Sequence, residues 1–209
     1  MKNALFFCLL TSFVFSSCKK TEDAVPENIP VVPAAIANNF PLSTGSYWIY
    51  ERFNMDTNGV ETTLAVDSSY ISGDTVMHSD TFAIITGDII DPASKYYRRD
   101  SSGYLIDQFG IIHCSNVNYA DTLWSGSTPG YYTFYYRMMP GAVISTPAGA
   151  LCAHDYQGTV NVLLSSYAWD NPRYLHSYYS DGIGLIRETS FFLASPNYIG
   201  RKLVRYHIE

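Results

Sequence analysis

Four cysteines and five histidines are the residues of this 209-residue chain best suited to metal or covalent chemistry. Two short pairs stand out, His113-Cys114 and Cys152-Ala153-His154. Thiolate with imidazole is the ligand set of a tetrahedral soft-metal site, and a thiol beside an imidazole is the start of a nucleophilic dyad. Neighbouring residues of a strand point to opposite faces, so only one of His113 and Cys114 could reach a shared ion, although Cys152 and His154 lie on one face. No metal ligand set and no cofactor are therefore expected. The patterns Gly-x-Ser-x-Gly and His-Glu-x-x-His do not occur, and no glycine-rich phosphate loop or alternating acidic calcium loop is present. Asp56, Asp74, Asp88, Asp91 and Asp181 sit at turns, where aspartate caps its own backbone. No catalytic residue is assigned, and a hydrolase using Cys152 and His154 is kept as an alternative. Cys114 and Cys152 are also disulfide candidates if the chain is exported. Closing about 38 residues would contribute roughly 3–4 kcal/mol in the chain-entropy model, with two buried thiols as the competing reading.

Aromatic excess is the stronger peculiarity. Eighteen Tyr, eleven Phe and three Trp make 15% of the chain. Tyr and Trp combine a flat apolar face with a polar tip, which suits sugar stacking or protein contact, and they also fill sheet cores. Trp124, Tyr131, Tyr135 and Trp169 are the candidate exposed contact residues.

The elements that must position these residues read as strands. From residue 40 onward Tyr, Phe, Thr, Val and Ile dominate, no long stretch has helical spacing, and turn formers recur often. Tyr47 to Phe53 and the alternating run through Leu64, Val66 and Tyr70 flank Asn58-Gly59, a pair suited to a tight hairpin turn. That run places Thr63, Asp67 and Ser69 on its other face. Further turns are expected at Gly73-Asp74, Ser79-Asp80, Asp100 to Gly103, Pro140-Gly141, Pro147 to Gly149 and Asp181-Gly182, with Gly158 breaking a strand. Residues 116–130 read as a loop carrying Trp124, and the last strand as Val204, Tyr206 and Ile208 inward against Arg205 and His207 outward. Connections this short leave no room for crossover helices, so neighbouring strands run antiparallel. The fold class expected is all-β, an antiparallel meander forming a curved sheet, a half-barrel or a sandwich.

The N-terminus carries a different signal. Lys2 is followed by about a dozen largely apolar residues, too few to span a bilayer and right for the core of a secretory leader. The end of that run, Phe15-Ser16-Ser17-Cys18, resembles the lipobox of bacterial lipoproteins. The resemblance implies a leader over residues 1–17, a diacylglyceryl group on Cys18, and anchoring to the outer membrane. Residues 18–39, with Pro26, Pro30 and Pro33, read as a flexible tether, ahead of a single β domain over 40–209. Losing Lys2 with the leader takes the net charge from −6 to −7, which offers no surface for nucleic acid. Phe40-Pro41-Leu42, Gly45, Trp48 and Tyr50, together with Gly182-Ile183-Gly184-Leu185-Ile186-Arg187-Glu188, resemble envelope lipoproteins built of β-meanders, which implies a fold type and no activity. The function expected is a lipid-anchored, non-catalytic envelope protein that binds a glycan or a protein partner through aromatic surface. A structural or assembly component with no small ligand is the other alternative.

Overall fold

Alternating apolar and polar residues between frequent turn formers fold into twelve strands of one antiparallel, nearly closed, barrel-like sheet. The computed structural model describes residues 40–167 and 171–209. The leader over 1–17, Cys18, the tether over 18–39 and Trp169 lie outside the described residues. Among the described residues there is no α-helix, and one 3-10 turn spans Ser165–Tyr167.

The sheet is two meanders joined back to back. The first holds β1 (Tyr47–Met55), β2 (Glu61–Met77), β3 (Asp80–Thr86), β4 (Lys95–Asp100), β5 (Tyr104–Ile106) and β6 (Ile112–Ser115). The second holds β7 (Trp124–Thr128), β8 (Tyr132–Thr146), β9 (Gly149–Val162), β10 (Arg173–Ser180), β11 (Gly184–Phe191) and β12 (Tyr198–His207). Every neighbouring pair is consecutive in sequence except β1 with β12, which zip the two halves together. The edge strands are β6 and β7, and the curl brings β6 against the inside of the second meander. There the Tyr156 hydroxyl donates to the Ile112 carbonyl, and the Ser115 N–H points at Met138 Sδ, 3.3 Å away.

The hairpin turn at Asn58-Gly59 forms as expected, with Asp56 Oδ1 accepting from the N–H groups of Asn58 and Val60, both at 2.9 Å. Several other expected breaks are bulges inside longer strands. The chain passes through Gly73 without turning, and through Pro140-Gly141 likewise, each with a register shift against the partner strand. An extra residue on one strand kinks a ladder without ending it. Gly158 does not interrupt β9. Its missing side chain makes room for the Tyr136 ring, whose Cε1 would stand 2.4 Å from an added Cβ. Residues 124–128 are a strand, paired from Trp124↔Tyr136 to Thr128↔Tyr132, and not part of a loop.

Bulges also decide which face is inside. On β12 Arg201 and Leu203 are buried, whereas Val204 is half-buried and Tyr206 exposed; a shift against Ile49 and Tyr50 leaves Val204 unpaired, and beyond it Ile208 packs against the core as expected. On β2 the polar set is the inward one. Ser69 is buried and Asp67 half-buried, whereas Leu64, Val66 and Tyr70 are exposed. The core fills the curl in two clusters, one around Trp48, Tyr50, Ile71, Ile186 and Leu203, the other around Phe40, Leu105, Cys114, Met138 and Tyr156.

Candidate functional site

Inside the curl the chain leaves a cavity of about 280 Å³. Six of its walls are the rings of Trp48, Tyr50, Tyr96, Tyr136, Tyr156 and Tyr179. Strand geometry explains the first two, since alternate residues of β1 face inward. Their polar tips are then satisfied across the barrel. Trp48 Nε1 donates to the Ile183 carbonyl at 2.6 Å, and the Tyr50 hydroxyl donates to the Leu185 carbonyl at 2.8 Å. Both acceptors belong to the turn and strand that follow β10, so β1 is pinned to the opposite meander by its rings. A buried Tyr or Trp normally needs such a partner.

Trp124 closes one side of this cavity. Its indole stacks on Tyr136 with centroids 5.3 Å apart, and Tyr136 stacks on Tyr156 at 4.9 Å, giving three rings in a row. Phe134 meets the Trp124 ring edge-on at 4.7 Å. Offset and edge-on pairs of this kind contribute about 0.5–1.5 kcal/mol each beyond burial. Glycines let the row sit flat on the sheet, Gly158 beneath Tyr136 and Gly126 beneath Phe134, where an added Cβ would approach the rings to 2.4 and 2.7 Å. Burial pushes the Tyr136 hydroxyl up to about 12, so these rings stay neutral.

The floor is charged. Glu188 and Arg201 stand directly opposite in the β11–β12 ladder. Arg201 donates through Nε to the Glu188 carboxylate and through Nη1 to Ser69 Oγ at 2.9 Å, while its guanidinium lies 4.4 Å from the Tyr50 ring centre. Ser69 in turn donates to the Gly87 carbonyl at 2.7 Å. Gly87 is required there: its φ is +101°, and an added Cβ would stand 2.1 Å from the Ser68 carbonyl oxygen. Burial opposes the charge on Arg201, but Glu188 and the Tyr50 and Tyr96 hydroxyls outweigh it, and the guanidinium stays protonated. Burial likewise pushes the Glu188 carboxyl up while Arg201 draws it back. Asp67 shares this face: its two carboxylate oxygens are buried without hydrogen-bond partners, and Arg52 Nε is 3.5 Å away.

Two further groups reach the cavity from the first meander. Arg98 lies over Tyr96, 4.8 Å from the ring centre, and donates to the Tyr97 carbonyl. His113 meets Asp107 at 3.0 Å. Burial, and then Arg98, lower the imidazole to about 4 against the pull of Asp107, so His113 is neutral at pH 7. Aromatic walls with Arg98, Arg201, Asp88 and Glu188 among them can stack on a ring and hydrogen-bond hydroxyls in both senses.

The cysteines do not meet. Both are free, Cys114 buried and Cys152 exposed, so the candidate bridge is not made. Cys114 packs inward on β6 with its Sγ 3.9 Å from Met138 Sδ, and burial pushes its thiol well up. Cys152 lies opposite Val143 toward the β8–β9 turn, away from the point where β6 touches β9. His154 has Asp181 at 3.8 Å and Tyr119 edge-on at 5.5 Å, and neither Cys152 nor His154 lines the aromatic cavity. Among the described residues no three His, Cys, Asp or Glu side chains converge on a point that could hold a metal.

Among the described residues, Trp124 is the contact candidate that lines the site. Tyr135 is half-buried opposite Ser125 and Thr159, on the other face from Phe134 and Tyr136. Tyr131 is 51% exposed, and Trp169 lies outside the described residues. Sequence reasoning missed Trp48, Tyr50, Tyr96, Arg201 and Glu188. The available signal was Arg201 itself, an arginine two residues before Leu203 in a strand otherwise fit for a core.

No family model and no curated protein matches the chain. Among solved structures it is similar to a Bacteroides fragilis protein described as exported, with a YmcC-like fold, at 14% identity and a TM-score of 0.47, covering 82% of this chain and 100% of the other. It is also similar to a Parabacteroides distasonis protein described as a lipoprotein, at 12% identity and a TM-score of 0.48, covering 80% of this chain and 97% of the other.

Proposed function

We propose that this chain is a lipid-anchored protein of the cell envelope, non-catalytic, whose β domain binds a glycan unit inside its aromatic cavity. The leader and Cys18 motif support the anchor, and the cavity supports the binding. Its volume of about 280 Å³ falls just below the roughly 300–1,000 Å³ usual for small-molecule sites, which suits one sugar ring rather than an oligomer. The Tyr and Trp rings that line the cavity complement the C–H face of a pyranose, and the Arg201–Glu188 pair offers donors and an acceptor to its hydroxyls. The aromatic row Trp124–Tyr136–Tyr156 beside that ion pair is the observation that carries this reading. A glycan array probed with the full-length chain and with Trp124→Leu tests it. Binding that falls at least tenfold in Trp124→Leu and survives in Tyr131→Ala supports an interior site; an array blank for the native chain overturns it.

One observation favours a second reading, contact with an envelope protein. On the outer face of β2, Val66 and Val76 are 67% and 68% exposed. Cross-linking from Val66→Cys to a specific envelope protein would support it, and uniform labelling would remove it.

A further inference from the structure

A second cavity adjoins the first. It holds about 390 Å³, and Trp124 and Tyr136 border both. Its other walls include Phe134, Val160, Leu175, Phe191, Phe192 and Leu193, and all nine residues that line it are apolar or aromatic. The first cavity differs in kind. Its charged groups are Arg98 and Arg201 against Asp88 and Glu188, with His113 neutral, so the charges cancel. A molecule lying along the Trp124 and Tyr136 rings therefore has one end among paired charges and hydroxyls and the other end among hydrocarbon.

We infer that the ligand is amphipathic, with a neutral polyhydroxyl head in the Arg201–Glu188 cavity and a single alkyl or acyl chain in the Phe134–Leu175 cavity. This rests on the glycan reading above and adds the tail. Charge cancellation argues for a neutral head, because a net-charged one would leave one member of the floor unpaired in a buried setting. A lining whose polar atoms are confined to the Tyr132 and Tyr136 hydroxyls and the Trp124 indole N–H argues for a chain without polar groups. The two shared rings fix the junction: one face of the Trp124–Tyr136 pair can meet a sugar and the neighbouring edge a methylene run.

The test is isothermal titration of the full-length chain with methyl, butyl, hexyl and octyl glucoside, each below its micelle threshold, and with 1-octanol. Each methylene that enters the second cavity should tighten Kd roughly threefold to fourfold, levelling off when the cavity is full. Leu175→Trp, which fills that cavity, should flatten the series while leaving the methyl glucoside Kd within about twofold; a series still steep in a folded Leu175→Trp overturns the placement. If that variant does not fold, the native series decides alone. Equal Kd across the glucosides overturns the tail and leaves the glycan reading standing. Binding of 1-octanol without binding of any glucoside overturns the head, and with it the glycan reading.

Discussion

Replacing Arg201 by Met isolates the charged floor. Arg201 is 2% exposed and its partner Glu188 is 17% exposed, so the substitution leaves a carboxylate inside the barrel with no counter-ion and Ser69 Oγ without its donor. Breaking a buried pair from one side typically destabilises by about 3–5 kcal/mol. Protonation caps that figure: neutralising a carboxyl of ordinary pKa near 4.5 at pH 7 requires about 2.5 units, or roughly 3.4 kcal/mol. The residual exposure of Glu188 lowers the expectation to about 3 kcal/mol. The sign with pH follows from which form the fold disfavours. In the variant the folded-state pKa of Glu188 rises above its unfolded value, so the penalty is complete above the folded pKa and fades as pH falls through it toward 4.5. Urea denaturation followed by tryptophan fluorescence, at pH 7 and at pH 4.5, should therefore show a gap to the native chain that shrinks by at least half at the lower pH. Arg201→Met combined with Glu188→Met should recover most of the loss, because two apolar side chains leave no charge to neutralise. A single-variant loss below about 1 kcal/mol, or a gap unchanged with pH, would refute a buried ion pair as the floor of the cavity.

Three other outcomes are expected. Gly158→Ala should destabilise by about 1–3 kcal/mol in urea melts, as overpacking does, and should shift the aromatic region of the near-ultraviolet circular dichroism, since the Tyr136 ring occupies the space a Cβ would need. Native-state labelling with an aromatic disulfide reagent should modify Cys152 promptly and Cys114 only after unfolding; no labelling even in denaturant would show a bridge. The His113 imidazole should titrate near pH 4 by NMR, and because its folded pKa lies below the unfolded 6.5, its contribution to stability is present above 6.5 and lost as pH falls toward 4. Titration near 6.5 would place His113 in solvent.

Strand content and meander order were legible from the chain because Asn58-Gly59, Asp100 to Gly103 and Asp181-Gly182 carry their own turn chemistry. Which face turns inward was not. A period of two sorts residues into two sets without naming the buried one, and on β2 Ser69 goes inside, where the Arg201 guanidinium donates to its hydroxyl. A single bulged residue then reverses the assignment, as Val204 does on β12. Glycines misled for a related reason. Gly73 and Gly158 look like breaks, yet one is a bulge and the other a seat for a cross-strand ring. The site itself depends on pairs far apart in sequence, Trp48 with Ile183 and Tyr50 with Leu185, which no local pattern records. Trp124 was recognisable as a contact residue only because its aromatic weight stood out in a turn-rich stretch.

Entry of ligand into the barrel, and not docking on its outer face, is the proposal from which the others follow. Two-dimensional NMR of the full-length chain with 15N-labelled tryptophan, titrated with octyl glucoside, tests it directly. Saturable shifts of the Trp48 and Trp124 indole N–H signals are expected, both abolished by Tyr136→Ala in a variant that keeps its β circular dichroism. Indole signals of Trp48 and Trp124 that stay fixed while the glucoside binds would contradict it.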